Sequence, residues 1–147
     1  MKVILCGMNN PLHSDPRYAL FPYPPGCAGW RILELLRIRL PDLTRSQYSR
    51  GFERINLVDD MVWDRWKARD KAAQLPSLYR GRTIVLFGDG VRRAVGLPKE
   101  LIHPIERDGV VWRQLPHPSG RCRWYNDPEA RDLASSLLYD MFMEGRR

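Results

Sequence analysis

Apolar and polar positions fall in blocks along this chain, and the period within each block changes from one to the next. Lys2 to Cys6 is a short apolar run closed by Gly7, the pattern of a strand buried on both faces. From Ala28 or Gly29 to about Leu40, the residues Ile32, Leu35 and Leu36, with Leu33 beside them, recur at helical spacing, and Pro41 ends the pattern. Pro41 to Gly51 is polar, carries Arg45 and Arg50, and reads as a linker. Phe52 to Val58 predicts a second strand, with Asn56 among apolar neighbours near its carboxyl end. A buried amide there needs partners. Asp59 or Asp60 can cap a charged helix that carries Trp63 and Trp66 and runs to about Ala73, ahead of a break at Pro76. Thr83 to Phe87 is a third strand; Gly88-Asp89-Gly90 then turns into a short helix with Val91, Ala94 and Val95 that ends near Gly96 and Pro98. Val110 to Gln114 is a fourth strand. Asp127 caps and Pro128 opens a last helix, in which Ala130, Leu133, Ala134, Leu137, Leu138 and Met141 share one face.

Strands alternating with helices predict an α/β domain of three layers, α/β/α, around a mainly parallel, four-stranded central sheet. The 147 residues fit one such domain spanning 1–147. Ligands in this architecture bind at the carboxyl ends of the strands. Four stretches then open on the same edge: the loop from Gly7 to Gly26, the end of strand two at Asn56, the turn at Gly88, and the loop around His117. The first is rich in proline, which orders a long loop without secondary structure, and long ordered loops in small domains commonly carry function. In the last, Pro116 and Pro118 fix the backbone on either side of His117, and Gly120 permits a turn before Arg121, Cys122, Arg123, Trp124 and Tyr125. A rigidly held imidazole beside cations and aromatics suits a ligand with both a phosphate and a base. The lone Gly88-x-Gly90 is weak as a dinucleotide fingerprint and is explained by a tight strand-to-helix turn.

Charge adds to this picture. Lys and Arg number 24 against 17 Asp and Glu, a formal net charge of +7, with a pI near 9.7, which favours a polyanionic partner. Cys6, Cys27 and Cys122 form neither a disulfide framework nor a metal-ligand spacing, so no metal or cofactor is expected and a reducing, cytoplasmic location is. No apolar run reaches the roughly 20 residues needed to span a bilayer. A monomer with DNA as partner and no membrane association is the expectation.

Taken together, Gly7-Met8-Asn9-Asn10-Pro11 after strand one, an Asn ending strand two, Val85-Leu86-Phe87-Gly88 before a helix, and His117-Pro118-Ser119-Gly120 resemble the uracil-DNA glycosylase superfamily, in the right order and over most of the chain. Cys27-Ala28-Gly29 before an apolar helix is similar to the Ala-Gly helix entry of some branches. The cluster-ligating cysteines of the iron-sulfur branches are absent. The resemblance implies a metal-independent DNA glycosylase acting on uracil or a modified pyrimidine flipped out of DNA. It implies that His117 stabilises the departing base, that Asn9 or Asn10 holds the attacking water, and that Asp15 is the available carboxylate if a base is required. Asn56 would read the Watson-Crick edge of the base, Phe21 or Tyr23 would stack on it, and Met8 would line its pocket. Ser119, Gly120, Arg121, Arg123 and Gly88 would meet the DNA strand, with Trp124 and Tyr125 either apolar wedges or core.

The sequence departs from the family pattern in two places. Its first loop has one residue more than G-x-N-P and lacks the following Gly, and Arg121-Cys122-Arg123 replaces the usual Leu-Ser or Leu-Asn continuation. These departures fit a different base, such as a bulky modified pyrimidine. Two other readings use the same residues: a catalytically silent nucleic-acid-binding module, and a hydrolase or transferase acting on free nucleosides or nucleotides.

Overall fold

The computed structural model describes residues 1–146. Five strands form one sheet in the order β2-β1-β3-β5-β4: β1 (Ile4–Gly7), β2 (Glu53–Asn56), β3 (Thr83–Phe87), β4 (Ile105–Arg107) and β5 (Val110–Leu115). The first four in that order are parallel, and β4 runs antiparallel along β5. The sheet therefore has five strands where the sequence predicts four. The added edge strand is three residues long and forms a hairpin through Asp108 and Gly109, both at positive φ (55° and 78°), the backbone that a two-residue hairpin turn requires.

Alternate residues of the central strands point to opposite faces and so fill two cores. Leu5, Val85 and Phe87 join α1 (Ala28–Arg37), α2 (Arg45–Gly51) and α5 (Pro128–Glu144) through Ile32, Leu36, Tyr48, Leu138 and Phe142. Ile4, Cys6, Ile84 and Leu86 face α3 (Arg65–Leu78) and α4 (Asp89–Val95) through Ala68, Leu75 and Val91. This is the expected three-layer α/β/α arrangement.

Three helices differ from their sequence patterns. The polar stretch after Pro41 contains α2, started by a capping box in which the Thr44 side chain accepts from Gln47 N and the Gln47 side chain accepts from Thr44 N. The charged helix starts later than expected, because Asp64 caps it by accepting from Trp66 N and Lys67 N; Asp59 and Asp60 instead pair with Lys71 and Lys67. It also continues through Pro76, which lies in its last turn, where one missing N–H costs little. In α5 the fully buried face is Ala134, Ser135, Leu138 and Phe142, turned away from the expected stripe toward Phe52, on which Phe142 packs.

The chain leaves β1 for β2 on one side of the sheet and returns to β3 on the other side of β1. The carboxyl ends of β1 and β3 therefore flank a topological switch point, where the departing loops separate and leave a crevice.

Candidate functional site

That crevice holds a cavity of about 390 Å³, a size that suits a small organic ligand. Met8 to His13 on the β1 loop, Phe21 and Tyr23 farther along it, Asn56 at the end of β2, and His117 and Ser119 after β5 all line it. Parallel pairing explains why Asn56 is there: it lies in register with Gly7 on β1, and backbone bonds from Leu57 N to Gly7 O and Val58 N to Met8 O continue the pairing past the sheet edge. A Cβ on Gly7 would come 2.7 Å from Asn56 Oδ1, so only glycine lets the amide lie over β1. Asn56 is 5% exposed, and among the described residues its amide has no hydrogen-bond partner. A buried amide is stable this way only if something else, water or ligand, satisfies it.

His117 is held by a framework behind it. Gly88 N donates to Leu115 O, Ser119 N to His117 O and Cys122 N to Ser119 O, while the Tyr125 hydroxyl donates to Pro116 O. Gly88 adopts φ 98°, and a Cβ there would lie 3.1 Å from His117 Cβ, so this glycine seats the histidine. Trp124 and Tyr125 are half-buried and pack against the core beside α1 and α5. Burial lowers the His117 pKa below its usual 6.5, so the imidazole is neutral at pH 7. Among the described residues neither ring nitrogen has a hydrogen-bond partner, and the residue borders both this cavity and a neighbouring one of about 300 Å³ beside Gly88 and Trp124, so one N–H is free for a ligand.

The two asparagines of the first loop have different tasks. Asn10 Nδ2 donates to Tyr18 O at 3.0 Å and its Oδ1 accepts from Leu12 N at 2.9 Å, so its whole amide braces the loop. Asn9, which lines the cavity, donates from Nδ2 to Met61 O at 2.8 Å, which fixes the amide and leaves its Oδ1 a free acceptor among the described residues. Asp15 does not join the site. It caps the turn Pro16–Tyr18, its carboxylate is gripped by the Arg17 guanidinium, and those hydrogen bonds hold its pKa below the usual carboxylate range. Among the described residues lining the cavity there is no carboxylate at all.

An aromatic wall closes one side. Phe21 meets Tyr18 edge-on at 5.3 Å, and Tyr18 stacks on His13 at 4.4 Å; Tyr23 stands at the rim, 57% exposed, with the Arg45 guanidinium over its ring. Two side chains from below set this wall. The Tyr48 hydroxyl donates to Leu20 O and Arg54 Nη1 to Ala19 O, each at 2.8 Å. The guanidinium of Arg54 also lies 5.7 Å from the Phe21 ring. Leu20 sits at φ 49°, unusual for a non-glycine residue, and the Tyr48 bond falls on that carbonyl. Tyr48→Phe leaves this carbonyl unsatisfied and is expected to lower stability by about 1 to 3 kcal/mol, read as a shift in the denaturation midpoint. A stability equal to the unchanged protein would show that water replaces the hydroxyl.

Ser119 also borders a second cavity of about 240 Å³, shared with Gly120, Arg31 and Arg131. Arg121 and Arg123 are exposed and line neither cavity. His13, Tyr18 and Leu20, all on the cavity wall, were not singled out by sequence reasoning; Cys27, at the expected helix entry, also lines the cavity and caps α1 by accepting from Trp30 N. Among the described residues no three His, Cys, Asp or Glu side chains converge to hold a metal, and no helix is long and apolar enough to cross a membrane. The chain matches no family model and no curated protein.

Proposed function

We propose that the protein is a DNA glycosylase that hydrolyses the N-glycosidic bond of uracil or a modified pyrimidine extruded from DNA, leaving an abasic site. The observation that carries this reading is the meeting, in one cavity, of three unsatisfied polar groups with complementary tasks: the Asn56 amide, the neutral His117 imidazole and Asn9 Oδ1. Asn56 offers a donor and an acceptor side by side, which matches the O4 and N3–H of a uracil-type edge. As the bond between C1′ and the base nitrogen breaks, its electron pair goes to the base, and an N–H from His117 stabilises the resulting anion. Water held by Asn9 Oδ1 adds its oxygen to C1′ and releases a proton to solvent. An amide orients water but is too weak a base to deprotonate it. With no carboxylate lining the cavity, catalysis rests on the leaving group, which favours bases that are stable as anions.

The test is base release from labelled oligonucleotides carrying uracil, thymine mismatches, hydroxymethylated and glucosylated pyrimidines, scored as alkali-labile breaks. Breaks at one base that disappear in an Asn9→Ala/His117→Ala double variant are expected. No breaks with any base, together with DNA binding unaffected by both changes, would mean a silent binding module. Activity on free nucleosides alone, with little salt dependence, would mean a small-molecule enzyme, since contact with many phosphates gives a steep salt slope.

Asn56→Asp exchanges the donor for a second acceptor. It is expected to change the preference between uracil-type and cytosine-type edges by about a hundredfold or more, measured as the ratio of kcat/KM on paired substrates. An unchanged ratio would remove Asn56 from base reading.

A further inference from the structure

We propose that Met61 and Val62, at the tip of the loop between β2 and α3, form the wedge that enters the base stack when a nucleotide leaves a duplex for the cavity. This inference rests on the DNA reading above and adds to it the element that opens the duplex. Met61 is 52% and Val62 77% exposed, and their loop leaves the same carboxyl edge of the sheet as the cavity. The loop is held at both ends. Val58 N bonds to Met8 O at its start, Trp63 packs against the core on the α3 side, and Asp64 caps the helix that follows. An apolar tip on such a stiff base can be driven into a stack, whereas a floppy one would fold back on the protein. The turn around His117 offers no apolar alternative, because its exposed residues are Gly120, Arg121 and Arg123.

Around the tip the charges of Asp59, Asp60, Asp64 and Asp70 balance those of Arg65, Lys67, Arg69 and Lys71, so a polyanion would be met by individual unpaired groups and not by a net positive field. Asp59 and Asp60 are paired with Lys71 and Lys67, and Asp64 is occupied by the helix cap. Arg65 and Arg69 form no ion pair among the described residues; they lie over the ring of Trp66 at 4.9 and 5.3 Å. Trp66 is itself 60% exposed. Two guanidinium groups and an indole beside an apolar tip provide phosphate contacts next to a stacking surface. The backbone of the tip is also joined to the reaction centre, since Met61 O is the acceptor that fixes Asn9. Seating the wedge and orienting the water-holding amide therefore involve the same peptide.

The double variant Met61→Ala/Val62→Ala removes the wedge and keeps the backbone carbonyl that Asn9 needs. Its melting temperature should equal that of the unchanged protein. Base release from single strands should stay within about twofold, while kcat/KM on a fully paired duplex should fall about tenfold or more, and less at a mismatch, where unpairing is easier. Equal losses on both substrates, or no loss on the duplex, would overturn the proposal. If the unchanged protein releases no base from any oligonucleotide, the glycosylase reading fails separately, and the wedge is then judged with 2-aminopurine placed in a duplex. A rise in fluorescence on binding that the double variant loses supports the wedge, and no rise with the unchanged protein overturns it.

Discussion

Replacing His117 with alanine is expected to slow base release by about two to four powers of ten while leaving DNA affinity largely intact. The loss corresponds to roughly 3 to 5 kcal/mol of transition-state stabilisation. It falls on the chemical step because the imidazole has no hydrogen bond among the described residues in the free protein, so its N–H acts only when charge develops on the base. Affinity for DNA is dominated by phosphate contacts, to which an imidazole lining the cavity is not expected to contribute. The pH profile provides a second check. Burial lowers the His117 pKa from 6.5, so the native state takes up this proton less readily than the unfolded chain does. The stability that His117 contributes is complete above pH 6.5 and is lost as pH falls through its lowered native value. Base release that uses the neutral imidazole should therefore be flat through pH 7 and change only on the acid side, and the variant should lack that acid limb. Full activity in the variant would remove His117 from the mechanism.

Asn9→Ala should lower the single-turnover rate by about two powers of ten, because a water displaced by about an ångström loses its alignment with C1′. The amide is already fixed by Met61 O, so the alanine leaves a water in the cavity with nothing to orient it. Stability should change little, since that bond lies at the surface. Asn10→Ala provides the contrast. It removes both loop bonds, to Tyr18 O and from Leu12 N, and should act through a loosened loop, with lower thermal stability and a raised KM. If Asn10→Ala instead reproduced the Asn9→Ala pattern, the roles of the two residues would have to be exchanged.

How far this site could be read from the sequence depended on what each signal was made of. Strands β1 and β3 are continuous apolar runs, β2 and β5 are apolar stretches interrupted by Glu53 and Arg54 and by Arg113 and Gln114, and the order of these four along the chain places Asn56, Gly88 and His117 at one edge. The edge strand β4 has no apolar run to announce it; its signal is the Asp108-Gly109 turn pair, a hairpin mark. Helix α2 is similarly polar, and its sign is the Thr44-x-x-Gln47 box. Asp15 looked available as a base because its partner Arg17 stands two residues away and the pairing depends on a local turn. Tyr48 and Arg54 were harder still. They act on carbonyls roughly 30 residues earlier in the chain, through contacts that only tertiary packing creates.

Arg54 has one further effect. Its guanidinium lies half-buried behind the Phe21 ring, bonded to Ala19 O, with no carboxylate within ion-pair distance among the described residues. Arginine keeps its charge even where burial lowers its pKa. The wall of the cavity is thus backed by a permanent, uncompensated positive charge in a medium that screens it less than water does. An anion forming against that wall meets a field that is already in place, whereas a cation there is opposed from the start. The cavity is electrically biased toward negative ligands before anything enters it.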